Sequence, residues 1–442
     1  MVVLPRAAVV ALLGLLPVVL VPGWRSVVVW ALVLVLLLLV DLALAASPRK
    51  LRLEREVPPS VRLGEVCHSL VTVTNAGSRR ARGLLRDAWQ PSAGARGERH
   101  RVDLPPGERR RAATALRPTR RGERSADRVT VRLSGPLGLA ARQASLVLPG
   151  RLRVLPAFSS RRHLPSRMAR LRELDGRTAV LHRGQGTEFD SLRDYVDGDD
   201  VRSIDWRATA RRQTVVVRTW RPERDRRVLI VLDASRTAAA RIGHVPGTGP
   251  DEPGSDEVRL DAAIEASLLL GALASRAGDR VDLLAHSRTV RARVKGASRT
   301  RLLNELVEAL APLEADLVET DWDAVVAEVR ATARQRCLVV LLTALDSAAV
   351  EVGLLPALAQ LTARYTVVLA SVDDPSLRQL AAARSDIDEV YAAAAAEAAG
   401  VERAATAELL ARLGVEVVHA PPHDLAPALA DRYLDLKAAG RL

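Results

Sequence analysis

The first 46 residues carry only three charges, Arg6, Arg25 and Asp41. Residues 7–21 are apolar apart from Gly14 and Pro17, the chain breaks at Pro22-Gly23-Trp24-Arg25, and a second apolar run over residues 26–46 is interrupted only by Asp41. About 20 apolar residues are needed to cross a bilayer, so the second run is long enough and the first is near the lower limit. Trp24 and Trp30 fall where interfacial aromatics are expected. Arg6 precedes the pair, Arg25 lies in the turn, and Arg49, Lys50, Arg52 and Arg55 follow. This excess of positive charge on both outer flanks predicts that both ends face the cytoplasm. A cleaved signal peptide is the competing reading, since Ala43-Leu44-Ala45 imitates a cleavage site, but a signal core is only about 7–15 residues long. The sequence therefore predicts a transmembrane helical hairpin over residues 1–48 in the cell membrane, with the bulk of the chain in the cytoplasm.

The remainder is long enough for two or three domains. The two cysteines, Cys67 and Cys337, lie in different predicted domains, which argues against a disulfide framework and a cysteine-based zinc site. The net charge of +13 raises nucleic acid as a partner, yet the basic residues are 62 Arg and only 3 Lys in an Ala-rich, aromatic-poor chain. That texture points to codon bias, and no nucleic-acid partner is expected. Residues 1–225 carry a net charge of +20 and residues 226–442 a net charge of −7. A basic membrane-proximal half suits contact with anionic lipid.

Between residues 49 and 157 short alternating runs (61–74, 84–89, 102–104, 112–116, 129–133, 144–148) are separated by turn formers such as Asn75-Ala76-Gly77 and Pro105-Pro106-Gly107, which predicts a small β-sandwich. Residues 158–183 are Arg-rich and read as a solvated linker or surface helix that can touch lipid head groups. From residue 226 onward strand-like runs (228–232, 281–285, 338–342, 367–372, 415–418) alternate with helical patterns (260–277, 300–310, 322–335, 354–365, 392–413). This alternation predicts an α/β domain with a doubly wound, mostly parallel sheet over residues 226–442. Ligands in such sheets sit beyond the carboxyl ends of the strands.

The loop after the first of these strands reads Asp233-Ala234-Ser235-Arg236-Thr237. A carboxylate and two hydroxyls at alternate positions can converge on a hard cation such as Mg²⁺. The same pattern also suits a turn or a helix N-cap. Thr320-Asp321 can add a hydroxyl from a neighbouring loop or cap the helix that follows. His419 and His423 are separated by Pro421-Pro422, which forbids a shared helical face, so both read as surface residues. No G-x-S-x-G, H-E-x-x-H or Walker A motif occurs.

The densest feature is the run from Gly184 to Arg211, with seven acids interleaved with Arg; four of the chain's twelve aromatics (Phe189, Tyr195, Trp206, Trp220) fall within residues 189–220. It fits neither an EF-hand nor a nucleotide loop, and it reads as an ordered lattice of Arg–carboxylate pairs clamping two domains. Its signature residues are Gly184, Gly186, Glu188, Phe189, Arg193, Tyr195, Gly198, Asp199, Asp200, Arg202, Asp205, Trp206 and Arg211, within a signature and linker segment at 158–225.

This run, followed by the apolar strand ending at Asp233, resembles the bacterial family of domain of unknown function 58. Arg120-Arg121-Gly122 and Gly135-Pro136-Leu137-Gly138-Leu139 are similar to that family's β-domain. The resemblance implies a von Willebrand factor A-like, Rossmann-like fold for the last domain. It also implies a membrane-tethered, non-enzymatic adaptor bound to a MoxR-type AAA+ ATPase. It would carry a metal-ion-dependent adhesion site onto Asp233, Ser235, Thr237 and Thr320, with Mg²⁺ or another divalent cation. The family pattern expects an Asp after the hydroxyl residue that follows strand 338–342; here Thr343 is followed by Ala344, and Asp346 comes two residues later. The alternative is a hydrolase whose acid and base are carboxylates between Glu188 and Asp205. Such carboxylates would lie in an open cleft, unpaired with Arg.

Overall fold

The computed structural model describes residues 2–181, 188–221, 226–243, 257–345 and 350–442. The chain divides into two compact units, Met1–Leu155 and Pro156–Leu442. The stretches that the sequence separates as 1–48 and 49–157 thus share one unit. All of 158–225 falls in the other unit with 226–442.

The first unit opens with the strand β1 (Val2–Val3), then α1 (Pro5–Leu13), α2 (Leu15–Leu20) and α3 (Trp24–Leu44). The first apolar run is therefore two short helices divided at Gly14, not one spanning helix. Pro17, just beyond, has no N–H to donate to the preceding turn. Trp30, expected at the interface, lies partly buried against Gly14. Among the described residues α3, extended to Lys50, is the one helix long and apolar enough to cross a membrane. Val29, Leu32 and Leu36 on it are 60%, 64% and 61% exposed, so this surface needs an apolar medium.

The rest of the first unit is β2 (Leu51–Glu56), β3 (Ser60–Arg62), β4 (Cys67–Asn75), β5 (Ala81–Asp87), β6 (Ala95–Arg96), β7 (Arg99–Leu104), β8 (Arg109–Leu116), β9 (Gly122–Ser134) and β10 (Ala140–Leu155). One sheet has the order β1-β10-β9-β5-β7, with β3 also on β10, and the other β2-β4-β8-β6. Alternate residues of each strand point inward, so Val71 and Val73 of one sheet meet Leu85, Leu104, Val129 and Val131 of the other in a common core. The expected strand 61–74 is in fact two, β3 and β4, split around Gly64, which has φ +82°.

The apolar segment is fastened to this sandwich at both ends. β1 pairs antiparallel with β10, Val2 opposite Ala141 and Val3 opposite Ala140. At the other end Asp41 is fully buried and accepts backbone N–H bonds from Leu137 (2.7 Å), Leu139 (2.7 Å) and Ala140 (2.8 Å). Arg142 Nε donates to the Leu42 carbonyl (3.1 Å), and Arg79 to that of Ala43. The single acid of the apolar run is thus its attachment point.

In the second unit α4 (Leu164–Leu181) is a surface helix, with Arg167 and Arg170 paired to Asp431 (2.7 Å) and Asp435 (2.6 Å). Next come β11 (Glu188–Asp194), α5 (Trp206–Arg212) and β12 (Val216–Arg221). The main sheet is then built from β13 (Arg227–Asp233), followed by β14 (Arg241–Ile242), β15 (Glu257–Val258) and α6 (Arg259–Arg276). It continues with β16 (Arg280–His286), β17 (Val290–Val294), α7 (Leu302–Leu310), α8 (Trp322–Thr332), β18 (Leu338–Leu342), α9 (Leu355–Thr362) and β19 (Thr366–Val372). α10 (Pro375–Ala382), α11 (Ile387–Arg412), β20 (Val415–Ala420) and α12 (Pro422–Ala438) complete it. Its order is β17-β16-β13-β18-β19-β20, all parallel except the antiparallel edge β17. β13 and β18 are apolar at nearly every position because helices cover both faces of the sheet. Leu229, Val231, Val339 and Leu341 pack with Val325, Val329, Leu358 and Leu361 of α8 and α9. The intervening Val228, Ile230, Leu232 and Val340 are buried on the opposite face, where α6 and α12 lie.

Candidate functional site

The strand order reverses direction between β13 and β18: the chain leaves β13 toward β16 on one side and returns to β18 on the other. At such a reversal the loops after the two strands diverge and leave a crevice at their carboxyl ends. Asp233 ends β13, and Thr343 follows β18 one residue beyond the register pair Leu232–Leu342.

Asp233 is 5% exposed and collects four donors. Its Oδ1 accepts from Ser235 N (2.9 Å) and Thr320 Oγ1 (2.6 Å). Its Oδ2 accepts from Thr237 Oγ1 (3.0 Å) and Thr343 Oγ1 (2.6 Å). Ser235 Oγ lies 3.1 Å from Thr237 Oγ1. Among the described residues no Lys, Arg or His forms an ion pair with this carboxylate. Burying a carboxylate requires this many donors, since each lone pair taken from water needs a replacement.

Local turns set the geometry. The Ser235 N–H bond to Asp233 is an Asx turn, which directs the chain into the 3₁₀ turn Arg236–Ala239 and brings Thr237 back over the strand end. Residues 311–321 are laid alongside by Asp316 N to the Ala234 carbonyl (2.8 Å) and Arg236 N to that of Val318 (2.9 Å). Thr320 is thereby carried to Asp233, while Asp321 caps α8 by accepting from Ala324 N (2.9 Å). Asp316, another acid of this loop, is engaged by Ser287 Oγ (2.7 Å) and Arg291 (3.2 Å).

The four residues singled out from the sequence, Asp233, Ser235, Thr237 and Thr320, thus meet, and Thr343 is a fifth. Its signal was available: a hydroxyl directly after an apolar strand neighbouring β13. The cluster borders a recess of about 10 Å³ lined also by Arg259, Ala344 and Ala370, room for one water or ion. The donor set is entirely oxygen, as a hard cation requires, but holds one carboxylate, and Ala344 stands on the recess wall where a second is expected. Among the described residues no group of three or more His, Cys, Asp or Glu gathers to hold a metal. Asp346 lies outside the described residues.

The signature segment forms a separate small substructure, so Asp199 and Asp205 serve local structure. β11 and β12 pair antiparallel, Glu188 opposite Arg221 and Phe189 opposite Trp220. Arg193 grips Asp199 with both terminal nitrogens (2.7 and 2.6 Å), and Asp199 also accepts from Val196 N (3.0 Å). Tyr195 N donates to the Val215 carbonyl (2.8 Å), and Gly198 takes φ +104°, a conformation that favours glycine. Asp200 accepts from Arg202 N (3.0 Å). Asp205 caps α5, accepting from Arg207 N and Ala208 N (both 3.0 Å), and pairs with Arg218 (2.8 Å). The Arg193 hydrogen bond holds Asp199 below the usual carboxylate range, and the Ala208 N–H, then Arg218, do the same for Asp205. Trp206 and Arg211 are exposed. Gly184 and Gly186 lie outside the described residues.

His419, expected as a surface residue, lies at the surface, with Nε2 3.2 Å from Asp373 Oδ1; His423 is exposed.

Residues 191–390 match the family model described as Protein of unknown function DUF58. No curated protein matches the chain. Among solved structures, the CARDB domain of a Pyrococcus furiosus protein is 18% identical, with 24% of this chain and 91% of that chain covered, at a TM-score of 0.19. A human ASH / PapD-like domain is 12% identical, covering 24% of this chain and 87% of that one, at a TM-score of 0.17. The PilB minor pilin from Streptococcus sanguinis is 10% identical, covering 82% and 87%, at a TM-score of 0.31. Likenesses this slight carry no argument about fold or function.

Proposed function

From the premise that the chain belongs to the DUF58 family, we propose a membrane-tethered, non-enzymatic adaptor whose second unit is von Willebrand A-like and docks a protein partner, a MoxR-type AAA+ ATPase, at the Asp233 cluster. The observation that carries this reading is the convergence of the Ser235 N–H and the hydroxyls of Thr237, Thr320 and Thr343 on one buried carboxylate at the reversal of the sheet. Such a cluster is a preformed oxygen cradle. Asp233, Ser235, Thr237 and Thr320 would hold a divalent cation, which supplies a Lewis-acidic contact for a partner's carboxylate. The threonine hydroxyls also allow direct hydrogen bonding to a partner, because each can rotate away from Asp233.

The hairpin topology rests on the first unit. β1 precedes the apolar segment and β2 follows it, and both belong to the same sandwich, which supports a hairpin with both ends on one side of the bilayer. The flanking Arg and Lys favour the cytoplasm as that side. Against the hydrolase alternative, Asp199 and Asp205 are tied to Arg and backbone N–H groups that favour the charged form, which opposes a general-acid role at neutral pH.

Purification of the intact protein from membranes with and without chelator tests the proposal. An AAA+ ATPase recovered without chelator and lost on Asp233→Asn, with the fold retained by circular dichroism, is expected. Recovery of no ATPase under either condition from intact, membrane-bound protein would overturn it.

A further inference from the structure

Two segments far apart in the sequence bring their cations together at the end of the sandwich where α3 leaves it. Ala76 N donates to the Lys50 carbonyl (3.1 Å) and Asn75 N to that of Glu108 (2.9 Å), so the starts of β2 and β8 meet the end of β4. In the register Arg52 lies opposite Thr74, and Thr74 opposite Arg109; the next rung on the same face is Glu54, Thr72 and Arg111. Val71, Val73 and Asn75 of β4 are buried, so these rungs stand on the outer face of the sheet. Arg52 and Arg109 flank Thr74 across two strand spacings, about 10 Å. Arg49 and Lys50 directly precede β2, within six residues of the end of α3 at Leu44.

Arg49, Lys50, Arg52, Arg109 and Arg111 are exposed, and among the described residues none of them forms an ion pair. The acids nearby leave the patch positive. Asp103 is held by Arg80 (2.6 Å) and Arg82 (3.3 Å), and Asp41 is buried on backbone amides, which leaves Glu54 and Glu108 against these cations. Like charges gathered on one face repel one another until an anion is laid across them. By contrast, Arg167 and Arg170 of the Arg-rich segment 158–183 are already paired with Asp431 and Asp435. We infer that the outer face formed by the starts of β2 and β8, with Arg49 and Lys50, is a binding site for the phosphates of anionic phospholipid head groups. The occupant follows from position: the patch adjoins the end of the apolar helix, within reach of the head groups, and guanidinium groups match phosphate oxygens in pairs. The inference rests on the membrane-tethered reading and is independent of the Asp233 cluster.

The test uses the full chain in neutral detergent micelles, titrated with phosphatidylglycerol or with phosphatidylcholine while native mass spectrometry counts the bound lipid. Phosphatidylglycerol is expected to bind at least about tenfold more tightly, with a preference that fades as salt is raised. The paired substitution Arg109→Gln with Arg111→Gln, on β8 alone, is expected to weaken that binding about fivefold or more. Arg96→Gln with Arg99→Gln removes the same charge from the far end of the sandwich, where Arg96 lies opposite Ala115 and Arg99 opposite Arg86, and is expected to leave it unchanged. Equal binding of the two lipids, no loss from the β8 pair, or equal losses from the two pairs, with circular dichroism unchanged, would overturn the inference. So would displacement of phosphatidylglycerol by free glycerol phosphate at the same concentration, since the site would then take a soluble phosphate. Flotation of the wild type with phosphatidylcholine liposomes reads the tether separately. Protein that floats but does not prefer phosphatidylglycerol overturns the head-group site alone, whereas protein that does not float overturns both.

Discussion

Replacing Asp41 by Ala removes the acceptor of three backbone N–H groups in the turn Gly135–Ala140. Leu137 is 47% exposed, so its N–H regains water; Leu139 and Ala140 are buried, and theirs do not. Two buried amides without an acceptor cost about 1–3 kcal/mol each, so the first unit should lose roughly 2–6 kcal/mol. Gly135→Ala should act in the same direction, because any side chain at Gly135 overlaps the Asp41 carboxylate. Thermal unfolding of the full chain in nanodiscs, with hydrogen exchange at residues 137–141, measures both. A lower midpoint for the first unit and fast exchange at Leu139 and Ala140 are expected. An unchanged midpoint with those two amides still protected would refute this.

Cys337 is buried and its thiol is pushed up to about 12 by desolvation, so iodoacetamide at pH 8 should leave it unmodified until the fold is denatured. The depressed Asp199 and Asp205 stabilise the β11–β12 substructure above the ordinary carboxylate pKa of about 4, and that contribution is lost as pH falls through their lower folded values. Exchange protection in residues 191–218 should therefore weaken on acidification below about pH 4 while the main sheet is unaffected. Burial outweighs Asp373 at His419 and lowers its pKa, so its neutral form stabilises the fold at neutral pH and protonation below about pH 6.5 should cost stability, visible as a shift in the unfolding midpoint that His419→Gln abolishes.

The central strands were legible because their apolar runs have no other explanation; Leu338–Leu342 matches the expected bounds and the others differ by a residue or two. β17 was missed because an edge strand alternates Val290-Arg291-Ala292-Arg293-Val294, a pattern that charge masks. α12 was missed because Pro421-Pro422 reads as a break, whereas Pro422 occupies the first turn, where no N–H is needed. α11 begins five residues before its expected start, since Asp386 caps it by accepting from Glu389 N (2.8 Å). Asp41 read as a flaw in an apolar run because its three donors lie almost a hundred residues away. Thr343 was visible as a residue type but not as a member of the cluster, because only the register of β18 against β13 brings it to Asp233.

The Asp233 cluster is tested most directly by titrating Mn²⁺ into the full chain in nanodiscs and reading the heat, for wild type, Asp233→Asn and Thr320→Val. One saturable site is expected in wild type, weak because a single carboxylate supplies its charge, absent in Asp233→Asn and weakened in Thr320→Val. Heats identical in wild type and Asp233→Asn, with both proteins folded, would contradict it.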